Sequence, residues 1–110
     1  IENNTIPYEI KRVFYLFDVP SGAKRGGHAN KKTNQVLIAI SGSFDVVLKD
    51  GNSKETITLN RPDKGLLIEN NIWRELENFS SGSVCLVLAS EEFSEDDYIR
   101  NYKEYLSFVK

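Results

Sequence analysis

The rhythm of turn signals constrains this chain more than any other feature. Pro20-Ser21-Gly22, Ser41-Gly42, Asp50-Gly51, Asn60-Arg61-Pro62-Asp63, Asn70-Asn71 and Ser80-Ser81-Gly82 cut it into short apolar segments. Segments spaced in this way, with no helical period between them, predict an all-β sandwich or barrel. Residues 8–19 (YEIKRVFYLFDV) are rich in aromatic and β-branched side chains, as a strand requires. Residues 35–40, 43–49, 54–59 and 65–68 give four more strands, and residues 72–79 alternate in polarity. Residues 83–89 (SVCLVLA) are apolar without a break, the pattern of a strand buried on both faces. Residues 24–34 (KRGGHANKKTN) are polar and glycine-containing and read as a functional loop.

The period changes only at the end. Ser94 and Asp97 form an S-x-x-D capping pattern, and Tyr98, Tyr102, Tyr105, Leu106 and Val109 recur at helical spacing. One closing helix is expected there, with the acidic run 91–97 complementing its positive end. Seven or so strands and one C-terminal helix fit in 110 residues as a single domain, 1–110. The chain has no methionine, even at position 1, so the natural protein is expected to carry a further leading segment.

Composition removes several classes of function. The net charge is −2, with neither sign gathered into a stripe, which argues against nucleic acid as a partner. No apolar run approaches the ~18 residues of a membrane-spanning helix, so no membrane role is expected. Cys85 is the only cysteine, which excludes an intrachain disulfide framework and a cysteine zinc site. A lone thiol in a buried strand suits a cytoplasmic protein and inert packing.

Chemistry concentrates around His28, the only histidine. Gly26 and Gly27 precede it and allow close approach of a ligand to the backbone, while Arg25 and Lys31 bring positive charge. If the segment is extended, His28 and Asn30 project to the same side.

The spacing His28-x-Asn30-x4-Gln35-x6-Gly42 resembles the first cupin motif, and residues 65–78 resemble the second. In that comparison Arg74 stands where a metal-binding histidine would be. Of the four ligand positions only His28 keeps a ligand; Asn30 and Gln35 are poor donors, and arginine offers no lone pair. The closer resemblance is to the metal-free cupins of the WxcM-like, dTDP-4-keto-6-deoxyhexose 3,4-ketoisomerase family. It is carried by IPYEIKRVFY (6–15), RGGHA (25–29), QVLI (35–38), Gly42-Ser43-Phe44, Gly65-Leu66, Ile72-Trp73, VLAS (87–90) and DYIRNY (97–102). The family usually reads His-Ala-His where this chain has His28-Ala29-Asn30.

The resemblance implies a cupin-type double-stranded β-helix, or jelly roll, with one C-terminal α-helix. It implies an isomerase that moves a ketone from C4 to C3 of a dTDP-linked 4-keto-6-deoxyhexose through an enediol, without metal or other cofactor. The product would feed a transaminase making amino sugars for bacterial surface glycans. His28 is the candidate base, since its ordinary pKa lies near neutrality. Arg25, Tyr15 or Asn30 could donate to the enediolate oxygen. Arg12, Arg25 and Lys31 are the candidate cations for the diphosphate. Tyr15 could be a second proton carrier, or His28 could act alone. Trp73 is a candidate platform for thymine, and Arg74 either pairs with a surface glutamate or fills the metal position. Small cupins of this kind commonly form homodimers. Two other readings stay open: a nucleotide-sugar binding module that has lost turnover through Asn30, and a domain of a larger sugar-modifying enzyme.

Overall fold

The computed structural model describes residues 6–20 and 22–110, so Ser21 of the first expected turn lies outside the described residues. Among the described residues nine strands and one α-helix follow in chain order. They are β1 (Arg12–Phe17), β2 (Arg25–Asn30), β3 (Gln35–Ser41), β4 (Phe44–Lys49) and β5 (Lys54–Leu59). Then come β6 (Gly65–Ile68), β7 (Trp73–Glu77), β8 (Val84–Ala89), β9 (Tyr98–Ile99) and α1 (Tyr102–Phe108). Two antiparallel sheets face each other, one in the order β1-β8-β3-β6 and the other β5-β4-β7-β2-β9. This is the cupin jelly roll expected from the sequence.

Register decides what each sheet turns inward. In the four-stranded sheet Arg12 pairs with Ala89, Ala89 with Gln35, and Gln35 with Ile68. The next inward row is Phe14, Val87, Leu37 and Leu66. Because side chains alternate across a strand, the residues between these rows face outward. Leu37, Phe44, Val46, Ile68, Leu76, Cys85 and Val87 form the centre of the inter-sheet core. Burying each large apolar side chain of this kind contributes about 1.5–3 kcal/mol.

Turn geometry matches the turn residues. Gly42 has φ +69°, and a β-carbon there would lie 2.6 Å from the hydroxyl oxygens of both Ser80 and Ser83. Asn71 and Asn78 bracket β7 with φ of 69° and 58°, values that asparagine tolerates better than most residues.

Three expectations are corrected. Residues 25–30 are a strand and not part of a loop: β2 lies between β7 and β9, and its polar side chains face a cavity where apolar ones are not required. The closing helix does not start at Ser94. That serine makes no side-chain capping bond; Glu95–Asp97 is a single 3-10 turn, and Tyr98 and Ile99 pair with Asn30 and Ala29 as a strand. The helix is capped by Asn101, whose side chain accepts from the Glu104 backbone N–H at 3.1 Å. The acidic run 91–97 therefore does not serve the helix terminus. Finally, the first strand is shorter than residues 8–19. Tyr8 and Ile10 cross the outside of the four-stranded sheet, with the Tyr8 hydroxyl donating to the Leu88 carbonyl at 2.6 Å.

Candidate active site

The inward row at one end of the sandwich carries polar side chains, and a cavity of about 240 Å³ opens there. Arg12, His28, Gln35, Arg74, Tyr98 and Arg100 supply its polar wall, and Leu37, Leu76 and Val87 join it to the core. His28 sits on β2 directly across from Arg74 on β7. A register irregularity between Arg25 and His28 interrupts the ladder, so the Gly-Gly pair changes the pairing just before the histidine.

Each polar side chain is held. The His28 Nε2 lies 3.1 Å from Asn30 Oδ1. Asn30 is 1% exposed, and its Nδ2 donates to Asp97 Oδ2 at 2.9 Å. Asp97 also accepts from the Thr33 hydroxyl at 2.5 Å and from the Lys32 backbone N–H at 2.6 Å. Burial pushes the Asp97 carboxyl up, but the donors from Thr33, Asn30 and Lys32 outweigh it and hold it below the ordinary value. The Tyr98 ring lies 4.9 Å from the His28 ring, and the Tyr98 hydroxyl accepts from Arg12 Nη1 at 3.2 Å.

Arg74 is 1% exposed, an unusual place for a cation. Its Nη1 donates to Gln35 Oε1 at 2.6 Å and its Nη2 to the Ile72 carbonyl at 3.3 Å. Its Nε has no hydrogen-bond partner among the described residues. Removal from water pushes its pKa down to about 10, against the attraction of Tyr98, Asp97 and Tyr105.

The guanidinium also decides the question of a cupin metal. At the four positions that would ligate one stand His28, Asn30, Gln35 and Arg74, with a cation already bonded to Gln35. A divalent ion does not fit this set. Among the described residues no three His, Cys, Asp or Glu side chains are grouped to hold a metal.

The structure brings together His28, Asn30, Arg12, Arg25 and Arg74 from the sequence-derived set, and it separates the other three. Tyr15 is half-exposed on the outer face of β1, on the opposite side of the sheet from the inward Arg12, Phe14 and Leu16. Trp73 is buried on the far side of β7, packed against Tyr102 and Tyr105 with its Nε1–H donating to Glu75. It is core, because its neighbour Arg74 takes the inward position. Lys31 lines an adjoining cavity of about 400 Å³ with Lys11, Lys32 and Phe93. Asp97, Tyr98 and Arg100 were missed as site residues. The sequence Asp97-Tyr98-Ile99-Arg100 carries no clear polarity alternation, and its strand character shows only as burial once it pairs with β2.

A jelly roll with one histidine and a cluster of guanidinium groups at the cupin metal position defines a cupin equipped for proton transfer on a polar ligand. The family described as "FdtA: WxcM-like, C-terminal" matches residues 1–110. A TDP-4-oxo-6-deoxy-alpha-D-glucose-3,4-oxoisomerase from Aneurinibacillus thermoaerophilus is 45% identical over 108 residues, spanning 98% of this chain and 78% of that one. The structure of the WlaRB TDP-quinovose 3,4-ketoisomerase from Campylobacter jejuni is 54% identical with a TM-score of 0.91, covering 97% of this chain and 83% of that one. A histidine-to-asparagine variant of the QdtA 3,4-ketoisomerase from Thermoanaerobacterium thermosaccharolyticum, in complex with TDP-4-keto-6-deoxyglucose, superposes with a TM-score of 0.93 at 45% identity, covering 94% and 75%. The chain belongs to the WxcM-like family of sugar 3,4-ketoisomerases.

Proposed function

We propose that the chain moves the ketone of a TDP-linked 4-keto-6-deoxyhexose from C4 to C3, with His28 as the base. The observation that carries this reading is the pairing of His28 with the buried Arg74 on neighbouring strands of one cavity wall: a proton acceptor stands beside a cation with an unused donor. His28 takes the proton from C3. The C3–H bonding pair becomes the C3=C4 π bond, and the carbonyl π pair moves onto O4, next to the Arg74 guanidinium. A proton then passes from O3 to O4, for which the Tyr98 hydroxyl, anchored by Arg12, takes the place first given to Tyr15. The O3 pair re-forms a carbonyl at C3, and C4 takes its proton from the His28 imidazolium. No proton is gained or lost overall, and one base serves two adjacent carbons from one face.

The cavity is smaller than the ~300–1,000 Å³ typical of drug-sized ligands, which suits a single sugar ring. The diphosphate then lies at the rim near Arg25 and Arg100, with the thymidine beyond; the choice of nucleotide is supported by the names of the relatives. Among the described residues no helix is long and apolar enough to cross a membrane, and the buried thiol of Cys85 suits work in the cytoplasm.

The outer face of the four-stranded sheet exposes Val13, Tyr15 and Phe17 on β1 together with Ile40 and Leu67. A second copy of this chain is the occupant that would cover such a row, giving a homodimer. Sedimentation of Tyr15→Glu against the parent checks it; a parent that sediments as a monomer overturns it.

The test of the reaction is a proton NMR time course with TDP-4-keto-6-deoxyglucose in deuterated buffer after chelator treatment. A 3-keto product is expected, carrying deuterium at C4 to the extent that the His28 imidazolium exchanges with solvent before it returns its proton. Line broadening of the ligand without product would overturn the enzyme reading in favour of a binding module.

A further inference from the structure

From the hydrogen-bond chain His28–Asn30–Asp97 we infer that Asp97 is a positioning residue that fixes the tautomer of the catalytic imidazole, so that Nε2 holds a proton and Nδ1 is the atom that takes the substrate proton. The inference rests on His28 being the base of the isomerisation, and it names the atom and the residue that selects it.

The reasoning runs from the outermost group inward. A carboxylate only accepts hydrogen bonds, so the Asn30 atom 2.9 Å from Asp97 Oδ2 must be the amide nitrogen. The reversed amide would set two acceptor oxygens against each other at a buried position where water cannot separate them. With the amide fixed, Asn30 presents its Oδ1 to His28, and that oxygen also only accepts. The His28 nitrogen 3.1 Å away must therefore be the donor, which places the proton on Nε2. A neutral imidazole protonated there has its basic lone pair on Nδ1.

Asp97 is well placed to impose this choice. Thr33 and the Lys32 backbone N–H hold the carboxylate, and the Lys31 N–H donates to the Asp97 carbonyl at 2.8 Å. The Tyr98–Ile99 strand that follows is laddered to Asn30 and Ala29. Acid, amide and imidazole thus belong to one rigid corner. When Nδ1 takes the C3 proton, the positive charge is shared with a donor chain ending on a carboxylate, which stabilises the imidazolium without a further proton moving.

The histidine count makes the test direct. One histidine means one imidazole in a long-range proton–nitrogen correlation spectrum of the uniformly nitrogen-15-labelled protein. Above the imidazole pKa, the nitrogen coupled strongly to both ring protons, Nε2, is expected at a pyrrole-type shift, and Nδ1 at a pyridine-type shift. A pyrrole-type Nδ1, or an even mixture, overturns the inference. The variant Asp97→Asn preserves shape but lets both amides reverse together, which would offer His28 a donor. Its expected signature is a mixed tautomer, kcat lowered about 10–100-fold with KM little changed, and a lower pH midpoint for kcat/KM. Arg74 on β7, Tyr98 on β9 and Arg12 and Arg100 beside Tyr98 surround the ring in both proteins, so the comparison isolates the Asp97 charge. An Asp97→Asn protein with the parental tautomer and kcat overturns the role of Asp97. If that variant fails to fold, the parental spectrum still decides the tautomer. Absence of turnover by the parent, with the Nε2–H tautomer present, would count against the isomerase reading and leave the assignment standing.

Discussion

Replacing the buried Arg74 and its partner Gln35 together by apolar residues should make the protein more stable while abolishing isomerisation. Burial pushes the guanidinium pKa down to about 10. At about 1.4 kcal/mol per unit, this is a penalty of about 3 kcal/mol carried by the folded state. The sign follows from the group being a base: its folded pKa lies below its unfolded one. The penalty is full at every pH below about 10 and fades as pH rises from there towards the ordinary guanidinium range. Against it stands the charged hydrogen bond to Gln35, worth about 1.5–3 kcal/mol. In Arg74→Met/Gln35→Leu both the penalty and the bond disappear, and apolar side chains fill the volume. The net expectation is a gain of about 0–1.5 kcal/mol, the difference between the penalty and the bond. Gln35→Leu alone leaves the cation without its 2.6 Å acceptor and should lose about 1–3 kcal/mol. Arg74→Met alone exchanges the charge penalty for an unsatisfied Gln35 oxygen and should lie near the parent. Urea unfolding near neutral pH ranks the four proteins, and isomerase assays on the same samples give activity. The reasoning is refuted if the double variant is less stable than the parent, or if Gln35→Leu costs nothing.

Three further outcomes are expected. His28→Asn should lower kcat by roughly 10²–10⁴-fold while retaining TDP binding, measured by turnover and calorimetry; unchanged turnover would remove His28 as the base. Gly42→Ala should lose about 1–3 kcal/mol, read as a lowered melting temperature, because alanine at φ +69° is strained and its β-carbon would meet Ser80 and Ser83. Acid should loosen the corner around Asp97: its carboxyl is held below the ordinary value, so its contribution is present above the unfolded pKa and is lost as pH falls through the folded one. The amide hydrogens of Lys31 and Lys32, bonded to Asp97, should then lose protection relative to the free-peptide exchange rate, at a pH below the range where aspartate ordinarily titrates.

The strand rhythm of residues 35–89 was legible because Asp-Gly, Asn-Asn and Ser-Gly signals report local backbone geometry, which sequence encodes directly. His28 was legible as a cavity residue because its residue type, its glycines and its family resemblance all agreed. What stayed hidden was set by pairing between distant segments. Residues 25–30 look like a loop until β7 and β9 flank them, and the strand preference of Tyr98 appears only through its bond with Asn30. Trp73 and Arg74 show the same limit. They are adjacent, and alternation says only that they face opposite ways; the packing of α1 against the outer side of β7 decides that the tryptophan is core and the arginine is in the cavity. Tyr15 lies outside the cavity for the same reason, one position away from the inward Phe14.

The distance along the chain between His28 and Asp97 bears on how the protein comes into being. A ribosome delivers the histidine first, and Asp97 follows 69 positions later. Until then β2 has a bare edge, Asn30 has no carboxylate to orient it, and the Tyr98 wall of the cavity does not exist. The four-stranded sheet, complete by residue 89, can assemble before this corner does. The wall that orients His28 is therefore closed by a segment translated long after the histidine itself.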